Sequence, residues 1–166
     1  MRTSKIVVLA ALITLVMALI SAPTNASNES HKAVLLGFDE VPAVSSTGSG
    51  ELRLKIDEEN QIIEYELTYE NLEGTSTLAA HIHIGQEAVN GGVVAFLCGG
   101  GGKPACTATS GTFTGTIGVA DIVAVPLQGI AAGEWAEVVR AMRAGRIYAN
   151  VHTNKHPGGE IRGQVK

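Results

Sequence analysis

Aromatic residues are scarce in this chain: Phe, Tyr and Trp make up 4% of its 166 residues, with a single Trp. That scarcity argues against the stacking platforms on which proteins seat unpaired bases. Charge is thin as well, at 17% Asp, Glu, Lys and Arg, and the 12 basic residues are outnumbered by 16 acids. With no basic stripe to neutralise phosphates, nucleic-acid binding is not expected. Proline is limited to five against 20 glycines, which points to many tight turns and away from a proline-rich linker. The glycines of residues 99–102 do not form a phosphate loop, because no Lys-Ser/Thr pair or strand-loop-helix context follows. Ser110-Gly111 lacks a nucleophile elbow, and no Asp-x-Asp-x-Asp calcium loop occurs.

The long apolar run is confined to the beginning. Arg2 and Lys5 precede residues 6–20, apolar throughout except Thr14, and Ser21-Ala22-Pro23-Thr24-Asn25-Ala26 follows. A positive region, an apolar region and a small-residue region in that order read as a secretory signal peptide over residues 1–26, cut after Ala26. A membrane span needs about 20 apolar residues, so contact with a membrane is expected only where this segment stays uncleaved. Removing it takes away Arg2 and Lys5 and no acid, which moves the net charge from −4 to about −6. The expected location is secreted or in the cell envelope.

Only two cysteines exist, Cys98 and Cys106, both in the exported part. An even count in an oxidising compartment favours a disulfide that staples a short glycine-rich loop; the alternative is a reactive or metal-binding thiol pair.

Residues 27–166 read as a single domain. Short apolar stretches separated by glycine predict strands over 33–38, 50–56, 61–69, 78–84, 93–97, 112–117, 146–152 and 160–165. Asp57-Glu58-Glu59-Asn60 is the expected hairpin turn, and residues 27–32 are expected to fray. Alternation places Leu78, Ala80, Ile82 and Ile84 on the core face of one strand. Trp135, Val138, Val139 and Met142 recur at helical spacing within residues 133–144, with Gly145 as the stop signal. A further helical turn is expected at residues 120–123. The expected fold is an all-β sandwich with one short lid helix.

Of five histidines, four fall into two pairs. His81 and His83 lie two apart on a predicted strand, so both leave the same face about 7 Å apart. His152 ends another strand, on a Tyr148-Asn150-His152 face opposite Ile147-Ala149-Val151, and His156 follows in the next turn. A His-x-His alone is a weak metal signal; two clusters strengthen it. Glu160, Arg162 and Gln164 alternate with Ile161, Gly163 and Val165, and an ion pair involving Glu160 and Arg162 is the ordinary expectation there. Glu160 and Asn150 are the polar residues placed to orient an imidazole by hydrogen bonding.

Ala80-His81-Ile82-His83-Ile84-Gly85, Asn90-Gly91-Gly92-Val93-Val94, Tyr148-Ala149-Asn150-Val151-His152-Thr153 and Pro157-Gly158-Gly159-Glu160-Ile161-Arg162-Gly163-Gln164 together resemble the CHRD (chordin) domain family. The resemblance runs from about residue 33 to 165. It implies an immunoglobulin-like or superoxide-dismutase-like β-sandwich. His81, His83 and His152 fall on its motif positions and His156 does not. The loop between Cys98 and Cys106 is similar to that of a microbial subgroup.

Imidazole ligands favour copper, with zinc second. Blue copper needs a thiolate, yet the cysteines are expected to pair, and Met142, the one methionine after residue 26, belongs to the helix. The leading expectation is therefore a binding module holding copper through His81, His83, His152 and His156. Two rivals stand beside it: a copper-dependent, superoxide-dismutase-like redox enzyme, and a metal-free extracellular domain that binds a partner protein.

Overall fold

The computed structural model describes residues 29–166. The expected leader peptide and its cut after Ala26 lie outside them. Eight strands appear in the order β1 (Glu29–Leu36), β2 (Ser49–Asp57), β3 (Ile62–Glu70), β4 (Thr77–Ile84), β5 (Val93–Cys98), β6 (Gly111–Gly118), β7 (Ile147–Thr153) and β8 (Ile161–Gln164), with helix α1 (Trp135–Arg143) before β7. All paired strands are antiparallel, and they form one sheet in the order β5-β4-β7-β8-β1-β2-β3-β6. Among the described residues, no helix is long and apolar enough to cross a membrane.

The all-β expectation with one short helix holds. Period-two alternation buries Leu52, Leu54 and Ile56 on β2 and Ile63, Tyr65, Leu67 and Tyr69 on β3. The turn joining them is locked by Asp57, whose carboxylate accepts hydrogen bonds from the Asn60 backbone (3.0 Å) and side chain (2.8 Å). Trp135, Val138, Val139 and Met142 all bury against the same core as the strands. Gly145, at φ +66°, ends the helical segment and turns the chain directly into β7. Of the expected turn at residues 120–123, the structure shows a 3-10 turn at Val119–Asp121.

The sheet nearly closes on itself. Cys98, at the end of β5, is bonded to Cys106, and the loop they bracket reaches β6 through Lys103, whose ammonium donates to the Thr116 carbonyl at 2.7 Å. The Tyr65 hydroxyl donates to the Leu97 carbonyl at 2.8 Å and ties β3 to β5 through the interior.

Three expectations need correction. Residues 29–32 are not frayed: Glu29 to Lys32 pair with Ile56 to Arg53, and Lys32 exchanges two 2.9 Å backbone bonds with Lys166. The apolar run at residues 33–38 hid this earlier start, because Ala33 and Leu35 point inward while Val34, Leu36 and Phe38 are exposed. Leu78 is exposed too, and Thr77 is buried in its place. The register between β4 and β7 slips between Thr77 and Ala79, and such an irregularity reverses the inside-outside order of what precedes it. Finally, Arg162 is 2% exposed and pairs with no acid. The loop of residues 85–92 folds over it, and its guanidinium donates to the Asn90 side chain (2.9 Å) and the Val89 (2.8 Å) and Gln86 (3.4 Å) carbonyls.

Candidate metal centre

β4 is flanked by β5 and β7. Ala80 and Ile82 enter the core from β4, as do Ile147, Ala149 and Val151 from β7, so the intervening residues stand on the outer face. The register sets His81 against Asn150, His83 against Tyr148 and Ala79 against His152. On the other side, His81 pairs with Phe96 of β5. Side chains facing each other across an antiparallel pair lie about 5 Å apart, so this register brings His152 beside the His81–His83 pair.

One nitrogen from each of His81, His83 and His152 lies within 4.8 Å of the other two. The His81 ring centroid is 4.8 Å from that of His152 and 5.4 Å from that of His83. Phe96 meets His81 edge-on at 4.7 Å. On the far side, His83 stacks on Tyr148 at 4.6 Å with the planes 7° apart, and Arg162 covers Tyr148 at 3.5 Å. The loop that buries Arg162 therefore also braces His83.

Hydrogen bonds fix the state of two rings. His83 Nδ1 lies 3.0 Å from the Gly91 carbonyl and His152 Nδ1 lies 3.0 Å from the Pro157 carbonyl. A carbonyl oxygen only accepts, so each Nδ1 carries the hydrogen and each neutral ring keeps its lone pair on Nε2. Both Nε2 atoms face Asn150 Oδ1, at 2.9 and 3.0 Å. Three lone-pair-bearing atoms thus face one another, an arrangement that favours a cation among them. Without one, it is satisfied when the amide turns over and presents its NH2 group. His81 adds an Nδ1 that is buried without any partner.

Burial holds all three imidazoles in the neutral, ligating form. His81 is pushed down to about 4, first by burial and then by repulsion from His152 and His83. Burial likewise lowers His83 and His152, against the opposing pull of their carbonyl partners. Imidazole–metal bonds are about 2.0–2.1 Å long, so two nitrogens sharing an ion stand at most about 4.2 Å apart. The 4.8 Å limit of this cluster is close enough for small ring rotations to close it. Nitrogen donors of this kind suit copper or zinc better than calcium or magnesium.

His156 stands outside the group of three. The turn after β7 folds back on Thr153, whose hydroxyl accepts the His156 backbone N–H at 3.1 Å. Glu160 is fully buried elsewhere: its carboxylate accepts from Ser46 (2.7 Å), the Glu73 backbone (2.6 Å) and Thr153 (2.6 Å), and from no imidazole. Burial pushes that carboxyl up, and these bonds outweigh it, leaving a net lowering. Asn150 is the residue that reaches the imidazoles.

Sequence reasoning missed Phe96, the Gly91 and Pro157 carbonyls and the Arg162–Tyr148–His83 stack.

A family model described as the CHRD domain matches residues 31–165. No curated protein and no solved structure matches the chain significantly.

Proposed function

Since this chain belongs to the CHRD domain family, and three of its imidazoles meet on one face of the sheet, we propose that it is an exported binding module that holds a copper ion through His81, His83 and His152. The observation that carries this reading is the convergence of two carbonyl-fixed Nε2 lone pairs and a third imidazole on one point. Copper is preferred to zinc because nitrogen donors follow the Irving–Williams order. The ion would supply a Lewis-acidic, redox-capable centre. The chain's own part is to keep the imidazoles neutral, fix their tautomers and wall them with Phe96 and Tyr148.

Export belongs to the same reading. Its supports are the leader-like residues 1–26 and the Cys98–Cys106 bond, of a kind that persists in oxidising compartments. So does an immunoglobulin-like or superoxide-dismutase-like sandwich. Between β1 and β8 the ladder is sparse, with Leu36 opposite Arg162 and, in the same register beyond the end of β8, Lys32 bonded to Lys166; this junction falls midway along the strand order, between β5-β4-β7-β8 and β1-β2-β3-β6. Two four-stranded halves enclosing one core support that form.

Equilibrium dialysis of the purified chain against Cu²⁺, followed by elemental analysis, tests the metal reading. A stoichiometric equivalent retained by wild type and by His156→Gln, and lost from the His81→Gln/His83→Gln double variant, is the expected result. Equal retention by wild type and the double variant would overturn it.

A further inference from the structure

The strand register puts one residue in the midst of the three imidazoles. Asn150 stands on β7 directly opposite His81 of β4, and His152 follows two residues later on the same face. His83, opposite Tyr148, is its diagonal neighbour across the pair. Asn150 is 4% exposed, so its amide answers to these rings and not to bulk water.

The contacts it makes there lack a hydrogen. Its Oδ1 lies 2.9 Å from His83 Nε2 and 3.0 Å from His152 Nε2. Each ring directs its one N–H to a backbone carbonyl through Nδ1, and burial keeps both rings neutral. Three acceptors then meet at hydrogen-bond distance with no proton to share. Two arrangements relieve that: the amide turned over, with its NH2 donating to both rings, or a cation bonded to all three atoms.

The separations also discriminate between cations. Bonds of about 2.0–2.1 Å meeting at about 90° set neighbouring ligand atoms about 2.8–3.0 Å apart, whereas at the tetrahedral angle they stand about 3.3–3.4 Å apart. Both oxygen–nitrogen separations here have the right-angled length. Tetragonal sites of nitrogen and oxygen suit Cu²⁺, and tetrahedral ones suit Zn²⁺.

We propose that Asn150 is itself a ligand: its Oδ1 joins Nε2 of His83 and Nε2 of His152 on the ion that they and His81 hold, and its right-angled placement selects Cu²⁺ over Zn²⁺. This rests on the metal-binding reading above and gives Asn150 a direct bond to the ion in place of a ring-orienting role.

The test begins with protein grown on asparagine that carries ¹³C at the side-chain carbonyl. It is loaded with Cu²⁺ and studied by electron–nuclear double resonance. A metal-bonded amide oxygen passes spin density to its carbonyl carbon, so a ¹³C coupling is expected in wild type and not in Asn150→Leu. Competition with a chelating dye at pH 8 supplies the second readout. Asn150→Leu is expected to bind Cu²⁺ about 10-fold or more weakly, and to lose less of its affinity for Zn²⁺. Asn150→Asp, whose carboxylate keeps an oxygen in place, is expected to bind Cu²⁺ at least as tightly as wild type. Copper-loaded wild type without a ¹³C coupling overturns the inference, whether or not the leucine variant folds, and leaves the imidazole site standing beside a turned amide. So does a Cu²⁺ affinity that is unchanged in Asn150→Leu, that falls there no further than its Zn²⁺ affinity, or that is as weak in Asn150→Asp as in Asn150→Leu. Wild type that retains no Cu²⁺ overturns the metal reading itself, and this inference with it.

Discussion

An imidazole that has lost hydration beside two others takes up a proton reluctantly, and this makes His81 a reporter of the whole cluster. Its folded value is about 4 against an ordinary 6.5. Between those limits the unfolded chain holds a proton that the folded chain does not, so stability rises with pH across that window and falls as the solution is acidified. A full shift would be worth about 1.4 kcal/mol per pKa unit; solvent screening of a ring that is only partly buried reduces the effect to about 1–2 kcal/mol. His81→Phe keeps a ring against Phe96 and removes the titration. Urea unfolding of the ion-free proteins at pH 7.5 and 4.5 is expected to show a smaller acid loss in the variant, by about 1–2 kcal/mol. Glu40, raised to about 7 mainly by burial, gives the opposite slope but is present in both proteins and largely cancels. Equal acid losses would show that His81 is not held neutral by its surroundings.

Elements determine how much of this site sequence periodicity can reveal. The common face of His81 and His83 follows from a period of two, and so does the split of β7 into a core face and a Tyr148-Asn150-His152 face. The meeting of those faces follows from β4 and β7 being neighbours, a long-range pairing that local pattern does not encode. Leu78 shows the reverse limit: alternation places it inside, and a register slip turns it out. The glycines after β5 were legible as loop formers but not as wall formers. A Cβ on Gly100 would lie 2.5 Å from Phe96 Cε1, and one on Gly101 would lie 2.7 Å from Phe96 Cδ2, whereas one on Gly102 meets nothing within 4 Å. Gly100→Ala is therefore expected to push Phe96 against His81, costing about 1–3 kcal/mol by overpacking and weakening Cu²⁺ retention. Gly102→Ala is expected to cost about 1–2 kcal/mol, from its left-handed backbone alone, and to leave Cu²⁺ retention intact. Urea midpoints and dialysis on the two variants separate the cases. Equal retention by both would detach the glycine tract from the site.

At the scale of the whole molecule, the sheet depends on how its two ends, β5 and β6, are held together. The Cys98–Cys106 bond closes a loop of sequence separation 8, which chain entropy values at about 2–3 kcal/mol. The Tyr65 hydroxyl holds the same end of β5 from inside, through the Leu97 carbonyl. Tyr65→Phe removes a hydrogen bond worth about 1 kcal/mol and strands a buried carbonyl, a further cost of about 1–3 kcal/mol. If both devices restrain one seam, the Leu97 carbonyl gains access to water once the disulfide is gone, and the tyrosine variant then costs less. A double-mutant cycle across Tyr65→Phe and Cys98→Ala/Cys106→Ala is thus expected to be sub-additive by at least about 0.5 kcal/mol, the scale at which contacting sites depart from additivity. The imidazole cluster lies on β4 and β7, between which no part of this seam runs. Cu²⁺ retention should therefore survive in every corner of the cycle that remains folded. Strict additivity in urea unfolding would mean that the two ends of the sheet are secured independently. Loss of the ion from the disulfide-free protein alone would mean that closure of the sheet, and not only the pairing of β4 with β7, sets the ligand geometry.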